Sequence, residues 1–195
     1  MYKPIKRCID FTLSLIGLLV LSPFFLLIAL IIKLESKGKV LFTQKRVGKN
    51  KRLFNIYKFR TMFSNTPKDM PTHLLDHPES FITRSGVFLR KSSLDELPQL
   101  INILLGDMSI VGPRPALWNQ DDLIAEREKG GANDILPGLT GWAQINGRDE
   151  LPIDVKAKLD AQYVKEMSFW FDVKIFFLTI FKVLRSEGVQ EGKRP

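Results

Sequence analysis

A chain of 195 residues with 45% hydrophobic side chains is long enough to bury one core, and its length fits a single domain with at most an appendage. One cysteine, Cys8, excludes an internal disulfide framework and suits a reducing compartment. The net charge of +8 is uneven: residues 1–60 hold 13 Lys and Arg against Asp10 and Glu35, and the remainder holds 16 against 19 acidic residues. A basic third beside an apolar segment points to an anionic membrane surface ahead of nucleic acid, for which no recognition motif is present.

Residues 11–32 carry no charge, and only Thr12, Ser14 and Ser22 are polar. As one straight helix they would reach about 33 Å, enough to cross a hydrocarbon core of about 30 Å. The apolar stretch is too long for a signal peptide, and no small-residue cleavage site follows. Pro23 cannot donate to the carbonyl of Leu19, and Lys3, Lys6 and Arg7 precede the run while Lys33, Lys37 and Lys39 follow it. Positive flanks at both ends favour one side of the membrane for both. The expectation is a re-entrant helical hairpin, broken at Ser22-Pro23, that dips into one leaflet; a kinked spanning helix is the alternative. Cys8 fits a small interfacial thiol better than a lipidation site.

Val40–Thr43 and Leu53–Phe59 are β-branched and aromatic and predict two short strands joined by the basic turn 44–52. Lys58 and Arg60 alternate with Tyr57 and Phe59, an arrangement that places both cations on one face, toward a diphosphate or toward water. The polar, proline-rich stretch 64–80 predicts a loop. His73, Asp76 and His77 within it have only a superficial metal-ligand spacing. A short helix over 81–91 would carry Arg84, Arg90 and Lys91 toward Ser93-Leu94-Asp95-Glu96-Leu97-Pro98-Gln99-Leu100.

That last stretch has two readings. Ser93-x-x-Glu96 is a capping box, a structural device. Asp95 and Glu96 are also adjacent carboxylates at a helix start, where free N–H groups favour an anion. Pro98 moves the helix start toward itself and leaves both acids in the turn before it. Beyond, Gly106 ends the helix and Asp107–Pro115 forms a stiff turn, with prolines flanking Arg114. Residues 116–130 predict an exposed helix, and 136–148 a glycine loop in which Gln144, Asn146 and Arg148 alternate. A helix over 154–166 carries Asp160 and Tyr163. Residues 168–184 are aromatic-rich with Asp172, Lys174 and Lys182 inside, which suits an interfacial helix better than a spanning one.

Five motifs occur together and in order: Phe42-Thr-Gln-Lys-Arg-Val-Gly48, Tyr57-Lys-Phe-Arg-Thr-Met62, Ser93–Leu100, Asp107–Pro115 and Pro137–Arg148. In these the chain resembles the monotopic phosphoglycosyl transferases of the bacterial sugar transferase family, from Lys6 to about residue 185. The resemblance implies an α+β fold, mostly helical with a short β-hairpin. A re-entrant membrane helix would occupy 1–36, a cytoplasmic catalytic domain with interfacial amphipathic helices 37–186, and a tail 187–195. It implies a minimal catalytic form on the cytoplasmic face of the bacterial inner membrane. The implied activity transfers a sugar 1-phosphate from a UDP-sugar to undecaprenyl phosphate, releasing UMP, with Mg²⁺ as cofactor. N-acetylhexosamine donors are expected ahead of hexoses. Asp95 would be nucleophile and metal ligand, with Glu96 its partner as base or metal ligand. Lys58, Arg60, Arg90, Arg114, Gln144, Asn146 and Arg148 would bind substrate. A homo-oligomer is compatible with it, and nucleic acid is not a partner. Leu136 departs from the basic residue usual before Pro137, which puts one cationic contact in doubt. A basic membrane scaffold or a nucleic-acid-binding module, neither needing the two acids, are the competing classes.

Overall fold

The computed structural model describes residues 2–64, 66, 78–147 and 151–184. His73, Asp76, His77, Arg148 and the tail 187–195 lie outside the described residues. The chain begins with α1 (Tyr2–Glu35), which at 1.5 Å per residue is about 50 Å long. Two strands follow, β1 (Leu41–Val47) and β2 (Leu53–Phe59), paired antiparallel with Leu41 opposite Phe59 and Val47 opposite Leu53. Then come α2 (Arg84–Lys91), α3 (Gln99–Leu105), β3 (Ser109–Val111), α4 (Asp121–Glu128), β4 (Gly138–Thr140), α5 (Trp142–Ile145), α6 (Ile153–Glu166) and α7 (Phe169–Leu184). The mostly helical fold with a short antiparallel hairpin agrees with the sequence expectation.

α1 runs as one helix through Pro23 and is not broken there. The reason is local. The Ser22 hydroxyl donates to the Leu19 carbonyl at 2.8 Å, the acceptor that Pro23 has no N–H to reach. Both ends of α1 are fastened to the rest of the chain. Near its start, Arg7 donates to the carbonyls of Ile103 and Leu104, capping α3. Buried Asp10 accepts from the Ser109 hydroxyl and the Ile110 N–H. Tyr2 and Lys6 both donate to Asp172 of α7 at 2.6 Å, and Tyr163 of α6 donates to its other oxygen. At the far end Ile28 and Ile32 pack with Phe59 and Leu89, and Glu35 accepts from Ser85 at the start of α2.

The outward side of α1 exposes Leu19, Val20, Leu26, Leu30 and Leu34, and α7 exposes Trp170, Phe177 and Phe181. Each such side chain left in water forfeits about 1.5–3 kcal/mol relative to burial, so the two helices present surfaces suited to an apolar medium. Their inward sides feed the core, where Ile175 and Tyr163 pack with Val111, Ile135 and Ile145. A second cluster joins β2 to α3 through Ile56, Ile103 and Met108. Asn102, fully buried, completes that joint: its carboxamide accepts from Tyr57 N–H at 3.0 Å and donates to Asn55 C=O at 2.8 Å, standing in for a neighbouring strand on the free edge of β2.

Several local expectations are corrected. The basic turn is shorter than 44–52, because β1 continues to Val47 and only Lys49–Lys51 form a 3₁₀ turn. The helix expected from residue 81 starts at Arg84, where the Thr83 hydroxyl caps Gly86 N–H. Ser93 makes no capping bond; it sits at φ 56°, a left-handed conformation, and passes the chain into a 3₁₀ turn over Leu94–Glu96. The two stretches expected to be loops, 107–115 and 136–148, contain a parallel pair, with Ser109 opposite Gly138 and Val111 opposite Thr140. Backbone crosses backbone so closely here that a side chain on Gly138 would meet Gly112 N at 2.1 Å.

Candidate active site

The turn before α3 carries the two acids, as the position of Pro98 suggested. Pro98 is the residue that precedes α3, so Asp95 and Glu96 belong to the 3₁₀ turn and not to the helix. Glu96 is buried and receives two cations. Lys58 of β2 donates to its Oε1 at 2.8 Å. Arg114 donates to the same oxygen at 2.9 Å and to Oε2 at 3.4 Å.

Asp95 is different. Among the described residues no hydrogen bond holds its carboxylate, and burial pushes its pKa up to about 6. The neighbouring Glu96 charge pushes the same way, while Lys58, Arg90 and Arg114 pull it back down. The helix start therefore does not dominate, contrary to the sequence expectation: desolvation does, and Asp95 is still mostly ionised at neutral pH. Burial also lowers the Lys58 pKa, partly offset by Glu96. Such a group of shifted charges makes this turn the candidate functional site.

Arg90, in the last turn of α2, is close enough to Asp95 to stabilise its charge. Arg60, expected beside Lys58 toward phosphate, takes another task. Its buried guanidinium donates to the carbonyls of Ser36 and Lys37 and to the Ser36 hydroxyl, closing the end of α1. Gln144 and Asn146 do not share a face, because Trp142–Ile145 is helical and an i, i+2 pair diverges there. Gln144 donates to Leu139 C=O and Asn146 to Trp142 C=O. Arg127 and its buried partner Asp160 were missed as a pair; nothing in a charged helical stretch marks one arginine as buried.

A metal would find only part of a site in the protein. Among the described residues no three His, Cys, Asp or Glu side chains converge. Mg²⁺ is commonly held by one or two carboxylates together with substrate phosphates, so an Asp95 carboxylate with no donor among the described residues fits this ion, and Glu96, already paired with two cations, fits it less well.

A mostly helical domain that sets the Asp95 carboxylate among the charges of Lys58, Arg90 and Arg114, and that carries two apolar helices, has the attributes of an enzyme acting on anions at a membrane. The profile of the bacterial sugar transferase family matches residues 1–186, and the chain belongs to that family. It is 42% identical to the uncharacterized sugar transferase EpsL of Bacillus subtilis, over 96% of this chain and 91% of that protein. It is 41% identical to the UDP-glucose:undecaprenyl-phosphate glucose-1-phosphate transferase of Escherichia coli, over 91% of this chain but 40% of that longer protein. It is 40% identical to the UDP-N-acetylgalactosamine-undecaprenyl-phosphate N-acetylgalactosaminephosphotransferase of Aeromonas hydrophila, over 97% of this chain and 46% of that protein. The chain thus spans less than half of these last two relatives.

Proposed function

We propose that this protein transfers a sugar 1-phosphate from a UDP-sugar to undecaprenyl phosphate and releases UMP, the first membrane step in making a bacterial surface polysaccharide. The observation that carries this is the contrast between the two acids: Glu96 bonded to Lys58 and Arg114, and Asp95 desolvated beside them with no hydrogen bond to its carboxylate among the described residues. An Asp95 oxygen attacks the β-phosphorus of the donor, the bond from that phosphorus to the bridging oxygen breaks, and UMP leaves with the electron pair. An oxygen of the lipid phosphate then attacks the aspartyl phosphosugar and frees the carboxylate. Arg114, Arg90 and Lys58 hold charge that moves onto phosphoryl oxygens. Mg²⁺ at Asp95 would supply neutralisation of the donor diphosphate.

The names of similar proteins do not select the sugar, since a glucose and an N-acetylgalactosamine enzyme are almost equally similar. UMP release by the purified protein, measured against UDP-glucose, UDP-galactose and UDP-N-acetylhexosamines with undecaprenyl phosphate, tests the function. One donor is expected to give turnover dependent on both the lipid and Mg²⁺. No turnover with any member of the panel would count against the reading.

The contacts of α1 support a monotopic membrane arrangement. Arg7 and Asp10 near one end and Ile32 and Glu35 near the other bind the same catalytic body, which supports an unbroken α1 lying shallowly in one leaflet with both ends at the cytoplasmic face. In a Cys8→Ser background, cysteines introduced at exposed Lys3 and Lys37 are both expected to react with an impermeant maleimide only after the inner face is opened. Labelling of Lys3→Cys from outside would establish a spanning helix instead.

A further inference from the structure

The segment Pro113-Arg114-Pro115 lacks two backbone donors, so its position has to be fixed through its carbonyls. Four consecutive carbonyls accept a hydrogen bond. Pro113 C=O takes one from Gly138 N–H at 2.8 Å, and Ala116 C=O one from Val47 N–H at 2.9 Å. Between them the donors are side chains: Arg127 to Arg114 C=O at 2.9 Å, and Arg46 to Pro115 C=O at 3.1 Å. A crevice of about 10 Å³, room for roughly one water, lies against Pro113, Arg114, Pro115 and Arg127, and the two prolines are buried, so these polar bonds act together with close packing to hold the segment.

Arg127 is an unusual donor to find there. It lies on α4 with its side chain only 5% exposed, and Asp160 of α6, 1% exposed, grips it through Nε at 2.8 Å and a second nitrogen at 2.6 Å. A buried ion pair adds little to stability compared with apolar residues of similar volume, because both charges are stripped of water. Burial raises the Asp160 pKa, and the Arg127 charge opposes that rise. The pair makes one further polar contact with the site loop, the bond from Arg127 to the carbonyl of the residue whose side chain reaches Glu96.

We propose that Arg127, oriented by Asp160, is a positioning residue for Arg114, fixing that backbone so the Arg114 guanidinium meets a donor phosphate in the geometry it now shows toward Glu96. Arg46 braces the same segment from β1. This rests on the phosphoryl-transfer reading for the identity of the ligand, and on the hydrogen bonds for the linkage. Displacing an aligned group by about 1 Å is enough to cost up to about 100-fold.

The test is a double-mutant cycle between Arg127→Lys and Arg114→Met, read as UDP affinity by calorimetry in the presence of Mg²⁺ and as kcat/KM. Lysine keeps the charge beside Asp160 but cannot bond to it in two places and also reach Arg114 C=O. Each single change is expected to weaken UDP binding about tenfold, and the double variant is expected to lose no more than Arg114→Met alone. Losses that multiply, or wild-type affinity in Arg127→Lys, would overturn the proposal. If Arg127→Lys does not fold, Arg46→Lys enters the same cycle with the same two outcomes. The coupled pattern in UDP binding, seen in a parent protein that never releases UMP, would overturn the proposed reaction and leave this linkage standing.

Discussion

Asp95→Asn is expected to lower UMP release by at least about 10³-fold and to abolish isotope exchange between UMP and the UDP-sugar. Asparagine keeps the shape of the turn but offers no anionic oxygen to phosphorus. Exchange is the sharper measurement, because it requires only the first half-reaction and no lipid. A direct attack by lipid phosphate on the donor would give no exchange even in the parent, whereas a covalent intermediate gives exchange that depends on Asp95. The pH profile adds a second, independent expectation. Only the ionised form attacks, and burial holds the Asp95 pKa up near 6, so exchange measured at low Mg²⁺ should be flat above neutrality and fall as pH drops through about 6. A free carboxylate would lose activity near pH 4 instead. Exchange that persists in Asp95→Asn, or a limb near 4 in the parent, would remove Asp95 from the role given to it.

Much of this arrangement was legible in the sequence because it depends on short-range chemistry. Proline at 98, deep in a helix capped by Ser93, would lose the bond to Leu94, which pointed to Asp95 and Glu96 in the preceding turn. The prolines around Arg114 and the glycines at 138 and 141 announced backbone that is fixed and closely approached, and both proved to be so. What spacing did not reveal is which partner each polar group would choose. Arg60 follows the same alternation as Lys58, yet it closes the end of α1, because carbonyls at a helix end need donors and Ser36 and Lys37 lie beside it. Ser93 matches a capping box, yet its φ of 56° turns the chain before any cap is made. The parallel pair β3 and β4 joins stretches about thirty residues apart, each only three residues long, too short for any alternation to register. Ser22-Pro23 resembled a break, and a hydroxyl supplied the donor that kept the helix whole.

The role of Glu96 is the point on which structure adds most to sequence. A general base needs an oxygen available to a proton, and a metal ligand needs a lone pair facing the ion. Glu96 is buried, one oxygen takes both Lys58 and Arg114, and the other takes Arg114 again. Its position instead suits it to aligning two cations next to Asp95 until a phosphate arrives to share them. Glu96→Gln retains an acceptor oxygen and nearly the same volume, but it removes the charge that holds the pair. The expected result is a fall in kcat of about 10²- to 10³-fold from misplaced cations. The acid limb provides the sign. The Glu96 charge raises the Asp95 pKa, while Lys58 and Arg114 lower it. Removing Glu96 takes away the raising influence and leaves the cations with one carboxylate instead of two, so the limb should move to lower pH even as the rate falls. Base catalysis by Glu96 predicts something else: a lost or flattened limb, and partial rescue by added formate or acetate. Rescue by a small carboxylate, with the limb lost or flattened and not shifted to lower pH, would return Glu96 to the role of base.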